Sequence, residues 1–146
     1  MVKRTRFDGE SCPVARSVDA VGDWWSLLIV QDAFDGSRRF GDFQRSLGVA
    51  KNILSARLRA LVDSGILEQV PAGARHEYVL TPKGEALFPV VVALRQWGEA
   101  FAFDANEPHS QLLDRRDRQP LRPLEVHAAD GRLLTSADTE VRKELS

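Results

Sequence analysis

At 146 residues the chain is long enough for one domain with a real core and a small appendage, and its single cysteine excludes an intrachain disulfide framework. No apolar run approaches the ~18 residues that a membrane span needs. The start MVKRTRFDGE holds no apolar segment suited to export, so a reducing cytoplasm is the expected setting. The net charge of −1 argues against a global basic field, yet the charges are unevenly spread. Between Ser37 and Arg59 six cations (Arg38, Arg39, Arg45, Lys51, Arg57, Arg59) face one acid (Asp42), a local +5 that leaves −6 for the remainder. A basic patch on a near-neutral protein suits DNA, and it also suits an acidic protein partner.

In chain order, residues 1–11 read as a polar, cationic arm carrying Lys3, Arg4 and Arg6. Cys12-Pro13 opens a first helix, because proline fits the first helical position, where its missing N–H costs nothing. Val14, Val18 and Val21 lie along this helix and Gly22 ends it. Asp23 is placed to cap a second helix, WWSLLIVQDAF, which is apolar on nearly every side. So greasy a segment is expected to be buried broadly, with Trp24 and Trp25 anchoring the core. Asp35-Gly36 marks a turn. Arg39 to Leu47 reads as a short third helix with Phe40, Phe43 and Leu47 inward, and Leu47-Gly48-Val49 as a tight turn.

The stretch that follows, from Asn52 to Leu67, organises the chain. Leu54, Leu58, Leu61 and Val62 recur at i, i+4, i+7 and i+8 and line one side of a helix. At 100° per residue Asn52, Ala56 and Arg59 fall near the opposite side, with Ser55 and Lys51 toward its edge. That outer side carries an amide, a hydroxyl, a methyl and long cations, with no acid until Asp63. Asn can pair with both adenine edge atoms, and Arg can reach guanine or a phosphate, so the face suits a DNA major groove. Two short helices joined through a glycine turn, the second with this outer face, form a helix-turn-helix.

After Gly65, Ile66–Val70 and His76–Leu80 read as two strands around a Pro71-Ala72-Gly73-Ala74 turn. Helices followed by such a hairpin describe a winged helix. Its tip would present Arg75 and His76 to the DNA backbone or minor groove. Arg38 and Arg39 flank the third helix, where they would touch phosphates, positioning without specifying sequence. For Arg57 two readings stand: phosphate contact, or a structural ion pair turned inward toward the hairpin. Thr81-Pro82 starts another helix, expected to run to about Phe103 with a kink at Pro89. Its Leu87, Phe88, Val90, Val91, Val92, Leu94, Trp97 and Phe101 cover more than one face, an excess that points to a subunit interface. Beyond Asp104 the chain turns proline-rich and short of large apolar residues. Leu121, Leu124, Val126, Leu133 and Leu134 suggest one or two short strands there.

Several stretches together resemble the HxlR-type branch of the MarR-like winged-helix regulators. They are Cys12-Pro13, Gly22–Leu28 (GDWWSLL), Arg39–Phe43 (RFGDF), Leu54–Leu58 (LSARL), Gly65–Leu67 (GIL), Tyr78–Gly84 (YVLTPKG) and Leu94–Gly98 (LRQWG). The resemblance covers Cys12 to about Phe101. It implies a homodimeric bacterial transcription factor on an inverted-repeat operator, dimerising through the first helix and the long helix after the wing. Val14, Val18, Leu87, Val91, Leu94, Trp97 and Phe101 would then line the seam. The chain departs from the family where Ser or Thr usually caps the recognition helix, having Ala50, and where Lys is frequent, having Asn52. The tail of longer relatives resembles a small zinc ribbon. Here Asp114, Asp117, His127 and Asp130 hold the ligand places, and three carboxylates with one imidazole are poor zinc ligands, so no metal is expected.

The expected fold is therefore mainly α with a small β-hairpin wing: a winged helix-turn-helix over residues 12–103, with a long C-terminal dimerisation helix. A linker and a small irregular or β annex follow over 104–146. The expected partners are double-stranded DNA and a second copy of the chain, with room left for a small-molecule effector and none for a membrane. The DNA-contacting set is Arg38, Arg39, Lys51, Asn52, Ser55, Ala56, Arg59, Arg75 and His76. Cys12, at a helix N-terminus one turn from Arg16, reads either as a thiol that responds to oxidants or as a small hydrophobe at the dimer seam. A thiol-switched repressor and a protein-interaction module are the alternative functions. Enzymatic chemistry finds no support: His76, His109 and His127 lie in no nucleophile or metal spacing, and no glycine-rich phosphate loop or cofactor motif is present.

Overall fold

The computed structural model describes Arg6 and residues 11–143. The expected arm therefore lies, apart from Arg6 and Ser11, outside the described residues. The chain forms two compact units, Met1–Val91 and Val92–Ser146.

The first unit begins with α1 (Pro13–Val21), α2 (Trp24–Phe34), α3 (Phe40–Leu47) and α4 (Lys51–Asp63). The starts follow from local chemistry. Cys12 is the N-cap of α1, its Sγ accepting from the Ala15 N–H at 3.5 Å, and Pro13 occupies the first turn. Asp23 caps α2 by accepting from Ser26 N at 2.8 Å and from the Ser26 hydroxyl. Asp42 accepts from the N–H groups of Arg39 (3.0 Å) and Arg38 (3.2 Å) at the start of α3. Those two backbone bonds, the Arg39 one foremost, hold the Asp42 carboxyl below its ordinary range. Gly48, at φ 65°, supplies the left-handed residue that turns α3 into α4.

Strands β1 (Leu67–Ala72) and β2 (Arg75–Leu80) pair antiparallel, from Leu67 opposite Leu80 to Ala72 opposite Arg75. The loop is the two-residue Gly73-Ala74, tighter than the four-residue turn expected, with Gly73 at φ 67° giving the positive φ such hairpins demand. The core gathers Val21, Ile29, Val30, Phe43, Val49, Leu54, Leu58, Leu61, Ile66, Leu67 and Val91.

Three expectations are corrected here. Trp24 does not anchor the core; it is 85% exposed, with Leu28 one turn on also exposed, while Trp25 is half-buried. Helix α2 is buried at Ser26, Ile29, Val30 and Asp32 and partly covered at Trp25, Leu27 and Phe34, so the strip of Trp24 and Leu28 is the part of its apolar surface left exposed. The helix after the wing is not continuous with a kink. A single turn, α5 (Pro82–Glu85), ends, and α6 (Phe88–Phe101) restarts after Ala86-Leu87. Pro89 lacks an N–H and would meet the carbonyl four residues back; at the second position of a new helix neither problem arises. That restart also changes two expected interface residues. Val91 turns inward and is 7% exposed in the core, and Leu87 packs against the same core.

In the second unit α6 carries Leu94, Trp97 and Phe101 exposed along one stripe, the two rings 5.5 Å apart. Gln96 clasps extended backbone like a strand: its Nε2 donates to Arg122 O at 3.0 Å and its Oε1 accepts from Leu124 N at 2.7 Å. Two-residue strands β3 (Val126–His127) and β4 (Leu133–Leu134) pair antiparallel, as the apolar residues there suggested. Asp114, Asp117 and Asp130 each accept from the backbone N–H two residues on (2.7, 3.0 and 3.2 Å), closing tight turns. No group of three or more metal-ligating side chains converges among the described residues.

Asp32 on α2 is 6% exposed, and its Oδ2 has no hydrogen-bond partner. Burial pushes its carboxyl above the ordinary 3.8, against a Ser46 hydrogen bond that favours the charged form and with Asp35 adding repulsion. A raised folded-state value means the native protein holds a proton that the unfolded chain releases. Stability therefore falls as pH rises through the window above 3.8. Asp32→Asn should raise the melting temperature at pH 7 by about 2–4 °C. It should also flatten the gain that the wild-type protein shows on acidification from pH 7 toward 4.5, both read by thermal unfolding.

Candidate nucleic-acid interface

The site is built on the rotation of α4. Leu54, Leu58 and Leu61 are each 0% exposed, buried where α4 packs on α2, α3 and β1. With that side fixed, Lys51, Asn52, Ser55, Ala56 and Arg59 are all exposed on the other, as the periodicity required. Their side chains enter no ion pair with another described residue. The N-cap position is Ala50, whose side chain accepts nothing, so the first turn of α4 keeps its N–H groups without side-chain cover.

Arg57 settles between its two readings on a third arrangement. Its Nε lies 3.8 Å from Asp23 Oδ1, so the ion pair is structural but runs to the α1–α2 joint and not to the hairpin. Asp23 thus both caps α2 and tethers the recognition helix. The hairpin is tied to the end of α4 by polar contacts as well. Thr81 Oγ1 donates to Gly65 O, Thr81 N to Ile66 O at 3.1 Å, and Lys83 Nζ to Ser64 O at 2.6 Å. Thr81 Oγ1 in turn accepts from Gly84 N at 3.1 Å. Gly84 itself presses on the Ile66 carbonyl so closely that no Cβ would fit.

Arg75 and His76 are exposed on β2 beside the loop. Arg38 and Arg39 are exposed but not unaccompanied. Arg38 Nη1 lies 3.6 Å from Glu77 Oε2 and Arg39 Nε 3.7 Å from Glu77 Oε1. The Arg38 carbonyl accepts from Tyr78 N at 2.7 Å, so the α2–α3 connection is fastened to the wing by a backbone bond. Sequence reasoning missed Glu77, Asp23 as a tether, and the Thr81–Lys83 joint. Glu77 left one signal, an isolated acid in a strand leading away from a cationic tip. Cys12 is exposed at the start of α1.

Four helices, the last two joined through a left-handed glycine, followed by an antiparallel hairpin, make a winged helix-turn-helix of the MarR-like class. The model of the HxlR-like helix-turn-helix family matches residues 20–106, and the chain belongs to that family. It is similar to the HTH-type transcriptional regulator Rv3095 of Mycobacterium tuberculosis, 48% identical over 99 residues, which are 66% of this chain and 61% of that protein. The match thus spans less than two thirds of the mycobacterial protein's length. Among solved structures it resembles PA1607, a candidate transcription factor, at a TM-score of 0.92 and 54% identity over 96% of this chain and 100% of that one. PA1374 from Pseudomonas aeruginosa is similar at a TM-score of 0.65 and 40% identity over 91% and 92% of the two chains.

Gly84→Ala should loosen the joint between recognition helix and wing. The added methyl meets backbone, which cannot swing aside, and a loss of about 1–3 kcal/mol in urea unfolding is expected.

Proposed function

We propose that this protein regulates transcription by binding an inverted-repeat operator as a homodimer, with α4 in the major groove and the β1–β2 wing on the backbone or minor groove. The observation that carries the reading is the outward row Lys51, Asn52, Ser55, Ala56 and Arg59 on a helix held from behind by three fully buried leucines. In this reading Asn52 and Arg59 touch base edges, while Lys51, Arg38, Arg39 and Arg75 touch phosphates, with Ser55, Ala56 and His76 at the contact surface. Family membership supports it, since the curated relatives bear the names of HTH-type regulators.

Dimerisation is supported by apolar side chains that each unit leaves uncovered. In the first unit these include Val14 (70% exposed), Val18 and Trp24; in the second, Leu94, Trp97 and Phe101. Trp24 joins the set, and Val91 leaves it. Twofold symmetry would set the recognition helices about 34–36 Å apart, facing half-sites one helical turn apart.

A fluorescence titration against DNA selected from a random pool tests the reading. Binding should weaken steeply with salt. Arg59→Ala and Asn52→Ala should each cost about 1–3 kcal/mol on the selected sequence and much less on random DNA. Equal losses on both would remove the base-reading role, and no binding to any duplex would leave the acidic-protein partner as the alternative.

A further inference from the structure

We propose that Glu77 is a built-in counter-charge for the interface: in the DNA-free protein it holds Arg38 and Arg39, and phosphates displace it when DNA binds. The inference rests on the DNA-binding reading above and gives a role to the acid that Arg38 and Arg39 share.

The geometry has three parts. One carboxylate serves two guanidiniums, at 3.6 and 3.7 Å, beyond hydrogen-bond reach but within Coulombic attraction. Glu77 is the more enclosed partner, its side chain 21% exposed against 61% for Arg38 and 53% for Arg39. The arginines can therefore turn outward while the carboxylate stays. The backbone around the arginines is also fixed twice over. Asp42 takes both of their N–H groups, and Tyr78 N donates to the Arg38 carbonyl, so only the side chains are left to move. Arg75, two residues before Glu77 on the same strand, shares its face by alternation, so a phosphate drawn to Arg75 approaches the same carboxylate.

Exposed pairs at this separation are weak in water, which is what exchange for a phosphate requires. Each phosphate neutralised by an arginine releases a bound cation from DNA, and a carboxylate stripped of its arginines draws a cation back. Glu77 thus lowers affinity and blunts its salt dependence. Phosphate contacts carry no base information, so it does both alike on every sequence.

Glu77→Gln keeps the shape and removes the charge. The titration should show severalfold tighter binding at low salt to selected and random DNA alike, with the ratio between them unchanged. The slope of log affinity against log salt should steepen by up to about one unit. Adding Arg38→Ala and Arg39→Ala to Glu77→Gln should abolish the gain. Unchanged or weaker binding by a Glu77→Gln protein with wild-type melting temperature overturns the proposal, as does a gain that survives loss of both arginines. If Glu77→Gln does not fold, wild-type binding compared with Arg38→Ala/Arg39→Ala decides: the pair must contribute a salt slope smaller than two free cations would, and a full two-cation slope overturns the idea. Failure of the wild-type protein to bind DNA at all would instead count against the DNA reading itself.

Discussion

Everything presented outward by α4 depends on three leucines presented inward. Leu54, Leu58 and Leu61 lie one turn apart and are wholly buried, so the helix cannot rotate without exposing roughly 1.5–3 kcal/mol of apolar surface for each. A helix pinned in rotation along its length shows the same five side chains to solvent all the time. That is a mechanical service from hydrophobic packing to the exposed face: the buried residues determine where the outward ones point.

The second constraint is polar. The carbonyls after α4, those of Ser64, Gly65 and Ile66, accept hydrogen bonds from Lys83 and Thr81 in the segment after the wing. At its other flank Arg57 reaches Asp23, which already caps α2. Helix α4 is thus joined electrostatically to the start of α2 and, through the residues that follow it, by hydrogen bonds to the start of α5. Few of these bonds are strong alone, and the Arg57 Nε makes none at all. Together they let the helix, the turn and the wing behave as one body.

How much of this could be read from the chain follows the range of the interactions. The caps at Cys12 and Asp23, the glycine turn at Gly48 and the leucine stripe of α4 act within about a turn of helix, and the sequence displays them directly. Trp24 could not be read in the same way. Apolar residues on every side of α2 announce burial but not by what, and the chain alone leaves the Trp24–Leu28 strip exposed. Pro89 announced a disturbance, yet kinking a helix and beginning one use the same chemistry, and only the packing of Val91 selects between them. Arg57 and Glu77 were the least legible. Their partners, Asp23 and the Arg38–Arg39 pair, lie more than thirty residues away in sequence, and no local pattern announces a charge pair that the fold alone creates.

Ala50 has a consequence of its own. A serine or threonine there would have turned its hydroxyl onto the opening amides of α4 and occupied them from within. With only a methyl, the helix begins with its donors facing water and with the positive end of its peptide dipoles unneutralised, directly behind Lys51 and Asn52. The exposed tip of α4 is accordingly the least finished end of the helix. The bonds that a side chain elsewhere would have supplied are left there to water.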